Sequence, residues 1–210
     1  MKYFVLRIGV TEMKKKLILV TSPPACGKTY ISKMLATNLD HVVYLDKDTL
    51  IPLSNVAYRV AGEEINRSSQ FFEDNIRNVE YEVVIDLAFE ALQYENIVLI
   101  NAPFTREIRD TEYMISLRKK LREYGAKLTV VWVQTDLEVC KQRMIDRNSE
   151  RDTWKIEHWD EYIATRDYSI PSNLEDPSIV DQFLIFKNSS QEEYEESMKG
   201  IVDTLQEGLN

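Results

Sequence analysis

The chain is short of the residues that define small, fibrous or membrane-embedded folds. Its 210 residues include 2 cysteines, 2 histidines, 6 glycines and 6 prolines. So little Gly and Pro excludes collagen-like and low-complexity architectures. Cys26 and Cys140 lie far apart and fit no disulfide or metal-ligand spacing, which excludes a disulfide scaffold or a cysteine-built zinc module. His41 and His158 have no partner spacing and read as structural or surface residues. No apolar run approaches the roughly 20 residues of a membrane span, so no membrane partner is expected. The opening MKYFVLRIGVTEMKKKLILV puts apolar pieces on both sides of a lysine triplet, the wrong order for a secretory signal. The expected setting is therefore reducing and cytoplasmic. Positive charge is also scarce: 26 Lys and Arg stand against 35 Asp and Glu, a net charge of −9. That balance argues against a broad electrostatic grip on nucleic acid. At 44% hydrophobic and 29% charged residues, the composition is that of a globular chain. The length suits one domain with a buried core, and nothing in the sequence signals an oligomeric state.

Hydrophobic periodicity alternates between strand and helix. Leu17 to Val20, Val42 to Leu45, Ile97 to Ile100, Leu128 to Val133 and Phe183 to Phe186 read as strands. Helices are expected over 28–39, 71–94, 111–124, 137–147 and 191–207, the second with Ile76, Val79, Val83, Leu87 and Ala91 on its buried face. Five alternations of strand and helix imply parallel strands joined by crossover helices, a three-layer α/β/α sandwich. Residues 1–15 read as an N-terminal extension or an added edge strand, and 16–210 as the domain proper. The polar segment from about 143 to 180 reads as a lid, and 50–94 as the region that faces an acceptor.

Ser22-Pro23-Pro24-Ala25-Cys26-Gly27-Lys28-Thr29 matches G-x-x-x-x-G-K-[ST] at seven of eight positions, with Ser22 in place of the first Gly. A buried strand precedes it and an amphipathic helix comes after, as a phosphate-binding loop requires. Loop N–H groups and the positive end of the helix can surround a β-phosphate. Gly27 permits close approach of the main chain, Lys28 reaches the β- and γ-phosphates, and the Thr29 hydroxyl can ligate Mg²⁺. Tyr30 is next in the chain and is grouped with the nucleotide-binding residues. Ser22 would carry strain only if its φ were positive. Cys26 reads as a thiol activated by loop amides or as a small tolerated residue.

Asp46-Lys47-Asp48 closes the second strand, at the sheet edge where open α/β sheets bind ligands. One carboxylate can take the proton of an attacking hydroxyl, and either Asp46 or Asp48 can serve; Asp46 can instead hold a magnesium-bound water. Asn101, at the end of the third strand, stands where an acidic residue often holds Mg²⁺ through water. Arg106 and Arg109 can hold an anionic acceptor or make surface salt bridges. Arg143, Arg147 and Arg151 recur every four residues, so a continuing helix would align three guanidiniums for a polyphosphate. Trp159 and Tyr162 are spaced for helix packing, and Asn188, after the fifth strand, is a candidate for reading the base.

Taken together, SPPACGKT, LDKD, INAPFTRE, RMIDRNSERD and IFKNSS resemble the phosphate-loop kinases. The nearest group is the one often labelled ATP-binding or AAA family ATPase, akin to polynucleotide 5′-kinases, chloramphenicol phosphotransferase-like enzymes and zeta-toxin-like kinases. The resemblance runs from about Lys16 to Leu205. It implies a five-stranded parallel sheet in the order 2-3-1-4-5, ATP with Mg²⁺, and phosphoryl transfer to a hydroxyl of a small molecule. It assigns the catalytic carboxylate to Asp48 and lid arginines to Arg143 and Arg147. After Asp48 no arginine occurs before Arg59, a departure from polynucleotide kinases of this kind. A slow regulatory ATPase and a polynucleotide 5′-kinase are the alternatives.

Overall fold

The computed structural model describes residues 15–149 and 152–207. The expectations for residues 1–14 and for Arg151 lie outside the described residues, and Lys15, expected at the end of the extension, opens the first strand. Five parallel strands form one sheet in the order β2-β3-β1-β4-β5: β1 Lys15–Thr21, β2 Val42–Asp46, β3 Ile97–Asn101, β4 Ala126–Gln134 and β5 Gln182–Lys187. The sandwich and its strand order are thus as the sequence and the resemblance imply.

β1 lies at the centre, between β3 and β4, which explains its unbroken apolar run. Its side chains alternate between two buried faces. Leu17 and Leu19 join Val98, Ile100, Leu128 and Val130 in one core, while Ile18 and Val20 join Leu99, Val131 and Val133 in the other. The first core is covered by α3 (Asn78–Ala91) and α4 (Thr111–Glu123). The second is covered by α1 (Lys28–Asn38), α5 (Leu137–Arg147), α7 (Trp159–Ala164) and α8 (Gln191–Gln206). α6 (Thr153–Glu157) precedes α7, and Trp159 and Tyr162 pack in the core as their spacing suggests. The lysines that open β1 are not free: Lys16 Nζ donates to the Leu205 carbonyl at 2.6 Å and that of Glu207 at 3.0 Å. It thereby satisfies carbonyls left open at the end of α8.

The stretch expected as one helix over 71–94 is built differently. Before it, a separate helix α2 occupies Ile51–Ala61; within it, a single helical turn, Gln70–Phe72, passes through a π-helical turn at Glu73–Arg77 into α3. The π turn widens the repeat and rotates the phase of the residues beyond it. Ile76 consequently packs with Tyr58 and Phe72 in a satellite cluster, while Val79, Val83 and Leu87 stay 54%, 38% and 43% exposed. Of the face expected to be buried, Val79, Val83 and Leu87 therefore point outward, while Ala91 packs at the edge of the first core. Tyr81, Val84, Ile85, Ala88 and Phe89 take the core instead, with Tyr81 against Phe104 and Phe89 against Tyr124 at ring separations of 5.1 and 5.0 Å. The two rings account for much of the apolar area on that face, beside Val84, Ile85 and Ala88.

Phe89→Ala should lower stability by about 3–5 kcal/mol in urea unfolding, and Leu87→Ala by no more than about 0.5 kcal/mol. Equal losses would contradict this assignment of the helix faces.

Candidate active site

The carboxyl ends of β1, β2 and β3 bring the site together. The turn from β1 into α1 holds the phosphate-loop octapeptide at the rim of a cleft of about 830 Å³. Ser22, Pro23, Pro24, Ala25, Gly27, Lys28, Thr29, Tyr30, Asp48, Arg106, Arg143 and Arg147 all line it. Ser22 does not have positive φ; the left-handed residues of the loop are Ala25 (φ 65°) and Gly27 (φ 88°). Serine therefore sits there without strain, its hydroxyl donating to the Pro23 carbonyl at 2.7 Å. At Gly27 glycine is required twice over. A Cβ would stand 2.6 Å from Asn188 Nδ2, and the backbone is left-handed.

Parallel register sets Asp46 beside Asn101 across β2 and β3. The Asn101 amide nitrogen donates to Asp46 Oδ2 at 2.9 Å and faces Thr29 Oγ1 at 3.4 Å. Its oxygen accepts from Lys28 Nζ and from the Ser32 hydroxyl. An aspartate there would set two carboxylates face to face; the amide turns that repulsion into a hydrogen bond. Asp46 also accepts from Tyr44 at 3.0 Å and from the Asp48 N–H at 3.0 Å, so both its oxygens are engaged. Asp48 differs: its side chain is 64% exposed and its one ion-pair partner among the described residues is Lys47, at 3.3 Å. Burial lowers the Lys28 pKa from 10.5 to about 8, although Asp48 and Asp46 pull it back up.

The family model described as the AAA domain matches residues 17–168. The chain belongs to that family. It is a member of the phosphate-loop kinase superfamily, and its sheet order is the one found there. Cytidylate kinase of Lactococcus lactis subsp. cremoris is 23% identical over 154 residues, which cover 66% of this chain and 70% of that protein. A sugar kinase from Janibacter sp. matches the fold at a TM-score of 0.56 and 15% identity, over 93% of this chain and 96% of that one. Kti12 of Chaetomium thermophilum, solved in complex with ADP-AlF3, matches at a TM-score of 0.53 and 14% identity, over 90% of this chain and 98% of that one.

The arginine series departs from expectation. α5 ends at Arg147, and Asn148 closes it in the left-handed conformation (φ 45°), so no continuous helix carries the row onward. Arg147 is held by Asp152, a fully buried carboxylate that also binds Lys155 at 2.8 Å. Arg143 instead donates to the carbonyls of Cys26 and Asn188, at 3.4 and 2.8 Å. Arg106 pairs with Glu73 at 2.6 Å and Arg109 with Asp167 at 3.0 Å. Asn188 is buried, and its amide donates to the Cys26 carbonyl at 2.8 Å, so it braces the loop and lies outside the described cleft lining. Tyr30 is exposed and leans on Tyr194 at 5.8 Å.

The cysteines also meet: Sγ of Cys26 and of Cys140 stand 3.6 Å apart across 114 positions of sequence. The hydrogen bond with Cys140, then burial, push the Cys26 thiol up. Cys26 is buried against the second thiol, a placement that supports the reading of a small packed residue over that of an exposed, activated thiol. Lys47 and Glu80, buried behind Asp48 and outside the cleft lining, are a contact that the sequence did not reveal. Lys47 lies within the Asp-Lys-Asp triplet, but nothing local marks Glu80, 33 positions on.

Gly27→Ala should cost about 1–3 kcal/mol from its left-handed backbone alone, with further loss from the Asn188 clash, read by urea unfolding. Lys28→Met should stabilise the ligand-free protein at pH 7 by at most about 3 kcal/mol. The sign comes from the lowered pKa: the folded state holds the proton less tightly, so the cost is full below about pH 8. It fades as pH rises toward the ordinary value of 10.5. Melting curves from pH 7 to 10 should therefore converge; a constant difference would refute a buried ammonium.

Proposed function

We propose that the protein is an ATP- and Mg²⁺-dependent phosphotransferase acting on a hydroxyl of a small molecule. The observation that carries this reading is the placement of an exposed, lightly paired carboxylate, Asp48, in the same cleft as Lys28 and the phosphate loop. A switch that only binds nucleotide has no use for a base at that point. Loop amides at the start of α1 hold the β-phosphate, and Lys28 and Arg143 face the transferring group. Thr29 and Asp46 present a hydroxyl and a carboxylate on either side of Asn101. This partial set of oxygen donors fits Mg²⁺, which takes its other ligands from phosphate and water. When bound, the ion neutralises charge on the β- and γ-oxygens. Asp48 accepts the proton of the attacking hydroxyl.

On the acceptor side, Ser68, Thr105, Arg106 and Arg109 line the cleft. Both arginines are already paired with carboxylates, which supports a small acceptor over a polynucleotide. The cytidylate kinase and sugar kinase relatives agree with that size class. Ser68 presents the proposed acceptor segment to the cleft, and Arg143, Arg147, Lys155, Thr165 and Arg166 present the proposed lid.

A screen of nucleosides, sugars, aminoglycosides and short oligonucleotides with γ-labelled ATP should find one small-molecule acceptor. Asp48→Asn should then lower transfer by about 100-fold or more, while the rise in melting temperature given by Mg-ATP is unchanged. Transfer at the wild-type rate would remove Asp48 as the base. Wild-type protein whose melting does not respond to millimolar Mg-ATP would sink the whole reading.

A further inference from the structure

Behind Asp48 lies a buried ionic cluster that the phosphate-loop chemistry does not account for. Glu80, on α3, is 3% exposed, and four hydrogen bonds fill its carboxylate. Oε1 accepts from Ser54 at 2.6 Å and from Arg67 at 2.8 Å. Oε2 accepts from Lys47 at 2.8 Å and from Arg67 at 2.6 Å. Lys47, itself buried, is shared: its Nζ stands 2.8 Å from Glu80 and 3.3 Å from Asp48 Oδ1. One carboxylate thus joins the turn after β2, α2, the loop beyond α2, and α3. Two cations and two carboxylates balance, but only Asp48 opens to the cleft.

The geometry points to Glu80 as a positioning residue: by holding the Lys47 ammonium on its own oxygen, it keeps an oxygen of Asp48 open toward the cleft. This inference rests on the reading of Asp48 as the acceptor's base. A buried ammonium deprived of its carboxylate is strongly disfavoured. Without Glu80, the nearest remaining anion for Lys47 is Asp48, and a full ion pair there competes with the acceptor hydroxyl. The same carboxylate fixes Arg67, whose guanidinium stacks on Phe72 at 4.5 Å and whose neighbour Ser68 lines the cleft. Base and acceptor wall are therefore set by one residue. Hydrogen bonds from Arg67, Lys47 and Ser54 overcome the effect of burial and hold Glu80 ionised down to about pH 2, so the clamp persists through the physiological range. Stability alone gives little reason for such a cluster, since apolar residues of equal volume often serve as well.

The test uses Mg-ATP with water as the acceptor, read as phosphate release, together with melting curves. Glu80→Gln should cut turnover by about tenfold, the effect of one lost charge-assisted contact, with the Mg-ATP melting shift kept. Adding Lys47→Met to that variant should recover turnover to within about threefold of wild type, because the competing cation is gone. A purely structural role predicts the opposite, a double variant no better than the single. That result, or unchanged turnover in Glu80→Gln, would overturn the inference. If Glu80→Gln fails to melt cooperatively, the double variant carries the test alone, and turnover as low as in Asp48→Asn counts against the clamp. Wild-type protein with neither turnover nor a melting shift would instead fail the kinase reading. Because the inference rests on that reading, it would fall with it.

Discussion

The structure depends on one buried cation at the wrong end of a helix. Lys28 stands at the first position of α1, where the helix dipole is positive, and burial adds to the penalty. Its one side-chain acceptor among the described contacts is a neutral amide oxygen, that of Asn101. The ligand-free protein therefore holds unbalanced positive potential at the mouth of the cleft. A polyphosphate relieves it, and the surroundings are arranged to tolerate it until then. Asp46 and Asp48 lie near enough to raise the Lys28 pKa without forming a direct ion pair with it.

The sheet makes that arrangement rigid. The register that sets Asp46 beside Asn101 comes from strand pairing along the whole length of β2 and β3, so neither side chain can drift independently. Positive φ at Ala25 and at Phe104 marks where the backbone bends to fit. Phe104 is fully buried against Tyr81, so the core holds its left-handed conformation in place. The two tight turns at the ends of β1 and β3 are also tied to each other, because the Thr21 hydroxyl donates to the Pro103 carbonyl.

Charge is managed locally throughout the cleft. Arg147 and Lys155 share Asp152, Arg106 has Glu73, and Arg109 has Asp167. Arg143 stands apart, spending its donors on the carbonyls of Cys26 and Asn188. A guanidinium held by neutral carbonyls keeps its charge available to an incoming phosphate, whereas one held by a carboxylate must first exchange partners. An acidic chain thus carries a cationic cleft whose cations differ in readiness.

The sequence by itself determined the alternation of strand and helix, the phosphate loop and the carboxylate pair after β2. Each is written in residues close together in the chain, where a period, a glycine or a turn carries the physics. Strand order came with the resemblance, because hydrophobic runs say where strands are but not which are neighbours. Tertiary structure alone decided the rest. The inner face of α3 follows a π turn at its start, which a simple period does not show. The meeting of Cys26 with Cys140, the bracing of the loop by Asn188 and the capture of Lys47 by Glu80 join residues 33 to 162 positions apart. Such contacts depend on which crossover brings which strand end alongside another, and a local pattern holds no record of that.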